Sequence, residues 1–297
     1  MNIYLIGMPG VGKTTLGKEL ANELNYNFID TDELIKTKTN SSINDLFQNE
    51  KDFRKIESEV INNIKGETNC VISLGGGAVL NKDNVNNLYG LIIYLYTDLV
   101  TLKSRLDIST RPLFKKISLE KLYNDRIDLY ENCSDYKIDN INIGDSIKQI
   151  VKIINKPKKN VLVINGPNLN MLGKRDEKQY GNLSLQEIND LMKSYDIFEY
   201  NFFQSNIEGE IINKIHELDN YDYLIINPAA YTHTSIAIKD ALDIFNIPKI
   251  EVHLSDVNSR EEYRKINYIS EVCTTNFVGK REFSYLDAIN YLKKLNL

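Results

Sequence analysis

The sequence predicts two α/β domains, each built as three layers around a parallel sheet. Short apolar runs alternate with longer amphipathic segments along the whole chain, and this alternation is typical of parallel-sheet proteins. The strand candidates are continuously apolar, as expected for strands covered on both faces. A length of 297 residues also favours two domains, because single cores stop growing at about 250–300 residues.

The first series of predicted elements occupies residues 1–155. Helices are predicted between the strands because apolar residues recur three and four positions apart there. The predicted strands are Asn2–Ile6, Tyr26–Asp30, Cys70–Leu74 and Leu91–Tyr96, and the predicted helices include Thr14–Leu24, Phe53–Ile64 and Ile147–Ile154.

A second series begins after residues 156–159, a polar segment with one proline and three lysines. We interpret this segment as a linker between a first domain, residues 1–155, and a second domain, residues 160–297. The predicted strands of the second domain are Val161–Asn165, Ile197–Gln204, Tyr223–Asn227, Lys249–Val252 and Glu271–Phe277, and its predicted helices include Leu185–Ser194 and Glu208–Leu218.

Composition narrows the class of protein. The net charge of −5 and the pI near 5.4 argue against a general binder of nucleic acid or anionic membranes. Three widely spaced cysteines without CxxC or zinc-finger spacing favour reduced thiols. The start MNIYLIG lacks the basic region of a signal peptide, and no apolar run is long enough to span a bilayer. We therefore expect a cytoplasmic protein.

A glycine-rich loop follows the first predicted strand. Residues 7–14, GMPGVGKT, fit the pattern GxxxxGK[ST] between an apolar strand and an amphipathic helix. Such glycines let backbone N–H groups surround a phosphate at the positive end of a helix. Lys13 is expected to reach the β- and γ-phosphates and Thr14 to ligate Mg²⁺. The expected nucleotide-binding residues of the loop are Gly10, Val11, Gly12, Lys13, Thr14 and Thr15.

Two acidic residues end the second predicted strand, in the sequence Asp30-Thr31-Asp32. They are expected to face the phosphates from the carboxyl edge of the sheet. One of them could hold Mg²⁺ through water while the other accepts a substrate hydroxyl. The alternative is a helix cap without a catalytic role.

Arginines and glycines are the remaining candidates for ligand binding in the first half. Arg54 and Glu57 lie one helical turn apart, which suits an arginine that binds a carboxylate but also an ordinary surface ion pair. Residues 75–77 are three glycines, which allow a ligand to lie against bare backbone. Arg111 precedes Pro112 in a segment that suits a mobile lid, and Arg126 lies one turn before Tyr130.

Six motifs occur along residues 1–155 in the order GMPGVGKTT, DTD, FRKIE, GGG, RPL and RIDLY. As an ordered set, they resemble the motifs of shikimate kinase. The resemblance implies a P-loop fold like that of nucleoside-monophosphate kinases and transfer of the ATP γ-phosphoryl group to the 3-hydroxyl of shikimate, with Mg²⁺. It implies shikimate binding by Asp32, Arg54, Gly76 and Arg126, a lid arginine at Arg111, a nucleotide-flanking Arg105, and a metal site at Thr14 and Asp30. Residues 137–144 lack an arginine that family members often have there. A related kinase for gluconate or a nucleoside monophosphate is the alternative.

Polar residues also follow the strands of the second half. Arg175 lies five residues before Tyr180 in a segment without a helix or strand pattern, so both are expected in an active-site loop. An ordinary tyrosine is a poor base at neutral pH, and a neighbouring guanidinium favours its phenolate form. Glu251 and His253 are two apart on a strand and so face the same side. A carboxylate beside an imidazole suits a general acid, although a hydrogen-bonded core histidine is the alternative.

Residues 160–297 contain the segments INGPNLNMLGKR, Gln179-Tyr180-Gly181, FFQSNIEGEII, NPAAYTHTS and EVHLSD. Together these segments resemble a type II 3-dehydroquinate dehydratase. The resemblance implies a flavodoxin-like fold, a trimer or a dodecamer of trimers, and anti elimination of water through an enolate without metal, Schiff base or organic cofactor. The sequence departs from the family at Ile207, where histidine is more frequent, and at Asp256, where asparagine is more frequent.

The resemblance also implies individual roles. Tyr180 would be the base, assisted by Arg175, and Asn168 would steady the enolate through water. His253, oriented by Glu251, would be the acid. The remaining contacts that it implies are Asn227, Leu254 and Ser255 on the carboxylate, His233 and Arg264 on ring hydroxyls, and Asp240 toward a neighbouring subunit. The spacing of Arg260 and Arg264, one helical turn apart, separately suggests an anion site.

Together the two halves predict a bifunctional enzyme of aromatic biosynthesis. The two reactions are not consecutive, because the dehydratase product must be reduced before a kinase can use it. A P-loop switch fused to a catalytically inactive ligand sensor is the alternative from another class.

Overall fold

The computed structural model describes residues 1–86, 88–106, 117–256, 261–262 and 265–296. Three predicted site residues, Arg111, Arg260 and Arg264, lie outside these ranges. The chain divides into two compact units, Met1–Lys156 and Pro157–Leu297. Across the described residues, no helix has the length and apolar character needed to cross a membrane.

The first unit contains a parallel sheet whose strand order is β2-β3-β1-β4-β5. Its described elements are β1 (Ile3–Ile6), α1 (Lys13–Leu24), β2 (Asn27–Asp30), α2 (Thr31–Thr39), α3 (Ile43–Leu46), α4 (Glu50–Asn63), β3 (Cys70–Ser73), α5 (Lys82–Asn86), β4 (Leu91–Tyr96), α6 (Leu99–Arg105), α7 (Leu119–Cys133), β5 (Tyr136–Asp139) and α8 (Ile143–Ile154). The chain crosses to one side of β1 and then to the other, so right-handed crossovers place helices on both faces.

The second unit contains a parallel sheet whose strand order is β10-β9-β8-β6-β7. Its described elements are β6 (Asn160–Asn165), α9 (Glu177–Tyr180), α10 (Leu185–Ser194), β7 (Glu199–Gln204), α11 (Glu208–Ile215), β8 (Tyr223–Asn227), α12 (Ile236–Asp243), β9 (Lys249–His253), β10 (Thr275–Val278) and α13 (Phe283–Leu295). Counted within the unit, the order is 2-1-3-4-5, which is the flavodoxin-like arrangement. The predicted fold class is therefore confirmed.

The strand predicted at Glu271–Phe277 begins only at Thr275, and Ser270–Val272 form a short 3-10 helix instead. Strand β5 and helix α9 also differ from the sequence-based prediction. Strand β5 was not predicted, because it lies at the sheet edge and only Ile138 of its four residues is buried; the continuously apolar pattern is absent there. The segment around Tyr180 was expected to lack regular structure, yet Glu177–Tyr180 forms one helical turn. The Asp176 side chain starts this turn by accepting a hydrogen bond from the Lys178 N–H.

The strands bring the polar segments together at the carboxyl edge of each sheet. β1 leads into the glycine loop, β2 ends at Asp30, and β3 leads into the three glycines. In the second unit, β8 ends at Asn227 and β9 at His253. Ligands of open parallel sheets bind at this edge, where the strand order reverses.

Candidate active sites

The glycine loop of the first unit is shaped for close approach of a ligand to backbone. Gly10 and Gly12 have φ of 84° and 97°, which a residue with a side chain rarely adopts. Gly12 caps the N-terminus of α1. The Lys13 ammonium donates to the carbonyls of Gly7 at 2.9 Å and Met8 at 3.1 Å, so the lysine lies within the loop that it is expected to serve.

Two side chains with oxygen atoms that can ligate a metal, Thr14 and Asp30, lie in contact beside this loop. The Thr14 hydroxyl donates to Oδ2 of Asp30 at 2.7 Å, and Oδ1 of Asp30 accepts from the Asp32 N–H at 3.0 Å. Asp30 therefore caps α2, as the alternative interpretation held, and also faces Thr14. A hydroxyl and a carboxylate are hard oxygen ligands of the kind that Mg²⁺ prefers, so this pair fits the metal that the family implies.

Asn140, which directly follows the edge strand β5, anchors the glycine loop, and the sequence offered no sign of it. Its side chain, nearly fully buried, donates from Nδ2 to the Val11 carbonyl at 2.6 Å. The Ser146 hydroxyl donates to Oδ1 of the same amide at 3.0 Å. The predicted nucleotide residue Arg105 donates to the Asn140 and Ile141 carbonyls at 2.9 and 3.1 Å. Asn140 thus links Arg105 to the phosphate-binding loop.

A cavity of about 510 Å³ adjoins this loop. The residues that line both this cavity and the space around the glycine loop include Thr14, Asp30, Asp32 and Gly76. The predicted acceptor-binding residues Asp32, Arg54, Gly76 and Arg126 all line it. A nucleotide phosphate and a second ligand can therefore meet at Asp32.

The two arginines of the cavity are held by different partners. Arg54 donates to Oε2 of the buried Glu57 at 2.7 Å, and its guanidinium lies 5.3 Å and 5.2 Å from the ring centroids of Phe47 and Phe53. Arg126 donates to the Gly76 carbonyl at 2.9 Å. Burial raises the pKa of Glu57, although Arg54 opposes this shift. Two guanidinium groups therefore line one cavity, an arrangement that suits a carboxylate ligand.

The three glycines following β3 leave no room for side chains. A Cβ at Gly75 would lie 2.8 Å from Oδ1 of Asp32, and one at Gly77 would lie 2.3 Å from Nη1 of Arg54. A Cβ at Gly76 would lie 3.0 Å from Pro9. Bare backbone at this edge therefore allows the acidic and basic side chains to reach the cavity.

The second unit has a smaller cavity, of about 120 Å³. It collects most of the residues that were predicted for this half of the chain, although they come from separate strand ends. Its lining includes Asn168, Arg175, Tyr180, Asn227, His233, His253, Leu254 and Ser255.

One wall of this cavity carries a buried carboxylate–imidazole pair. Nε2 of His253 lies 2.9 Å from Oε1 of Glu251, whose side chain is fully buried. Glu251 also accepts from the Thr232 hydroxyl at 2.9 Å and from the Asn267 amide at 3.0 and 2.9 Å. Burial acts to raise the pKa of Glu251, but these hydrogen bonds outweigh it and hold the pKa below its ordinary value. The sequence pointed to neither Thr232 nor Asn267.

Tyr180 and Arg175 line the same cavity. The Arg175 guanidinium lies 3.8 Å from the centroid of the Tyr180 ring, a distance typical of cation–π contact. Asn168 adopts φ 65°, and its N–H donates to Oδ1 of Asn206 at 2.8 Å. Tyr180, with the Arg175 guanidinium against its ring, therefore lines the same cavity as His253. The carboxylate of Glu251 lies behind that histidine.

Other predicted residues have partners of their own. Asn227 donates to the Tyr285 hydroxyl at 3.0 Å, and its Oδ1 accepts from the Ala229 N–H at 3.2 Å. Nδ1 of His233 lies 2.7 Å from the Ile266 carbonyl; because a carbonyl only accepts, Nδ1 donates in this hydrogen bond. Asp240 is exposed on α12 and does not line the cavity.

Comparison with known proteins distinguishes the two halves. Residues 9–155 match the family model for shikimate kinase, and residues 159–293 match the model for class II dehydroquinase. The 3-dehydroquinate dehydratase of Thermotoga petrophila is 50% identical over 138 residues, which are 45% of this chain and 94% of that protein. The 3-dehydroquinate dehydratase of Clostridium botulinum (strain 657) is 48% identical over 137 residues, 45% of this chain and 93% of that protein.

Solved structures resemble each half separately. Type II dehydroquinase from Butyrivibrio crossotus is 45% identical, with a TM-score of 0.44, over 46% of this chain and 97% of that one. Shikimate kinase from Acinetobacter baumannii, solved in complex with shikimate, is 33% identical, with a TM-score of 0.49, over 53% of this chain and 95% of that one. On the matches to the two family models and to the curated relatives, the chain belongs to the shikimate kinase family through residues 9–155 and to the class II dehydroquinase family through residues 159–293.

Proposed function

We propose that this chain performs two reactions of aromatic biosynthesis at separate sites. Residues 1–155 would transfer the γ-phosphoryl group of ATP to the 3-hydroxyl of shikimate, and residues 160–297 would eliminate water from 3-dehydroquinate to give 3-dehydroshikimate. The observation that supports this most directly is the convergence of Arg175, Tyr180 and His253 on one cavity. Residues 156–159 would link the two domains.

In the kinase domain, backbone N–H groups of residues 10–15 and the Lys13 ammonium bind the phosphates. Thr14 and Asp30 would hold Mg²⁺, which neutralises phosphate charge when it is bound. Asp32 accepts the proton of the attacking hydroxyl, while Arg54, Arg126 and Gly76 orient shikimate. Arg105 flanks the nucleotide, and Arg111 closes over it as a lid.

In the dehydratase domain, the Tyr180 phenolate removes a proton from C2, and the Arg175 guanidinium stabilises that phenolate. A water held by Asn168 stabilises the resulting enolate. His253, oriented by Glu251, donates a proton to the departing C1 hydroxyl, so the product is an enone and water. The substrate carboxylate binds to Asn227 and to the N–H groups of Leu254 and Ser255.

Further contacts and the assembly complete the proposal. His233 and Arg264 bind ring hydroxyls, and Arg260 joins Arg264 in an anion site. Asp240 reaches the site of a neighbouring subunit, which agrees with its exposed position on α12. We expect a trimer or dodecamer formed through residues 160–297, in the cytoplasm.

Single substitutions in the full chain test both assignments. Tyr180→Phe should abolish the rise in enone absorbance on addition of 3-dehydroquinate and leave ADP release with shikimate intact. Lys13→Ala should do the reverse. Absence of enone formation by the wild-type chain under all conditions would refute the dehydratase and favour a ligand sensor. ADP release with gluconate or a nucleoside monophosphate, but not shikimate, would refute the proposed acceptor.

A further inference from the structure

The turn between β10 and α13, residues 279–282, contacts the strand end that carries the proposed acid. The Gly279 N–H donates to the His253 carbonyl at 3.1 Å, and the Arg281 N–H donates to the Leu254 carbonyl at 2.9 Å. These two bonds fix the turn to the end of β9.

The same turn also contacts the helix that carries the proposed base. Nη2 of Arg281 donates to the Lys178 carbonyl in α9 at 3.2 Å. Gly181, directly after Tyr180, is close to the turn as well, since a Cβ there would lie 3.2 Å from Oε2 of Glu282 and 3.4 Å from Cδ of Arg281. The turn therefore bridges α9 and the end of β9.

Helix α9 needs such support. A helix of four residues does not persist on its own, because nucleation costs more than so few hydrogen bonds return. A cavity of about 480 Å³ is lined by Lys178 and Gln179 of α9, by Ser255 and Asp256, and by Arg281. The backbone of α9 is therefore not packed solidly against the segment after β9, and the Arg281 hydrogen bond to the Lys178 carbonyl joins α9 to the turn beside this cavity.

The backbone of Arg281 is itself unusual. Its φ of 54° lies in the left-handed region, where glycine is favoured and a long side chain is disfavoured. An arginine at this position therefore opposes the local backbone preference. A side chain retained in a disfavoured conformation beside an active site points to a role for that side chain.

We propose that Arg281 is a positioning residue of the dehydratase. Its guanidinium holds α9, and with it the Tyr180 hydroxyl, at the end of the strand that carries His253. This inference rests on the proposed role of Tyr180 as the base. Because proton transfer requires hydrogen-bond distance between base and substrate, a looser α9 lowers the rate of the chemical step.

Arg281→Ala, Arg281→Gly and Arg281→Lys in the full chain test this role, with Lys280→Ala as the matched control. Lys280 is the neighbouring cation of the same turn, but its Nζ pairs with Asp287 on α13 at 2.8 Å. The measurements are kcat and KM for enone formation and the melting temperature. Kinase activity of the same samples reports the concentration of active chain.

Arg281→Ala and Arg281→Gly should each lower kcat about threefold to tenfold, the effect of losing one solvent-exposed hydrogen bond, with little change in KM. Arg281→Lys should recover most of the rate, because an ammonium also donates to a carbonyl. Arg281→Gly should melt at a higher temperature than Arg281→Ala, because glycine relieves the left-handed backbone. An equal loss of kcat in Arg281→Ala and Arg281→Gly, despite their different melting temperatures, excludes partial unfolding as the cause. Lys280→Ala should retain wild-type kcat.

Wild-type kcat in Arg281→Gly would overturn the proposal. A rise in KM at constant kcat would overturn it too, since that result indicates a substrate-binding group. Tyr180→Phe distinguishes these failures from failure of the proposed function. If Tyr180→Phe keeps wild-type dehydration, the base is assigned wrongly; if it is inactive while the Arg281 variants are unchanged, only the positioning role is wrong.

Discussion

A methyl group at Gly77 tests whether Arg54 binds the carboxylate of the kinase substrate. A Cβ there would lie 2.3 Å from Nη1 and 2.4 Å from Nη2 of Arg54, far inside contact distance. The backbone at Gly77 has φ −104° and ψ −1°, which alanine adopts without strain. Gly77→Ala should therefore displace the end of one long side chain and leave the backbone in place.

The expected loss follows from the contact that is displaced. A hydrogen bond to a charged group contributes about 1.5–3 kcal/mol, so losing the arginine–carboxylate contact should raise KM for shikimate by about 10-fold to 150-fold. KM for ATP should change little, because the glycine loop and Lys13 lie outside the displaced contact. ADP release, measured with shikimate and ATP varied separately, gives both values.

Gly66→Ala provides a matched control in the same unit, since a Cβ at Gly66 meets nothing within 4 Å. Dehydratase activity of the same samples corrects for concentration. An unchanged KM for shikimate in Gly77→Ala would refute the role of Arg54. Equal rises for shikimate and ATP would instead indicate general disruption of the unit and refute the steric argument.

Glu251→Gln should slow dehydration and reduce the free energy of unfolding of the second unit by about 1–3 kcal/mol. The reason is that glutamine has an NH2 group in place of one carboxylate oxygen, so one buried donor that bonds to Glu251 loses its acceptor. An unchanged melting temperature would contradict this prediction. The free energy of unfolding of wild type should exceed that of Glu251→Gln by the full amount above pH 4.5, the ordinary pKa of a glutamate. This difference should disappear as the pH falls through the lowered pKa of Glu251, because protonation of the carboxylate removes the same acceptor. Denaturation at several pH values checks the direction, and a difference that grows in acid is the opposing result. Asn140→Ala should raise KM for ATP and spare KM for shikimate, because Asn140 holds the Val11 carbonyl of the glycine loop; equal rises in the two KM values contradict it.

Much of the fold follows from local pattern. Strands such as β1 and β4 were predicted because their continuous burial produces continuous apolar runs. β5 was missed because an edge strand does not need that pattern. α9 was missed because one turn of helix is too short to show a period, and an aspartate cap starts it.

The sequence by itself determined those site features whose geometry is local. The glycine loop and Lys13 belong to one short segment, and Glu251 and His253 meet because alternate residues of a strand share a face. Only the tertiary structure decided which distant residues support the sites: Asn140 reaches Val11 across 129 residues, and Tyr285 reaches Asn227 across 58. Parallel strands bring remote carboxyl ends to one edge, and no spacing along the chain records which residues meet there. The support of Tyr180 by Arg281 is of this second kind.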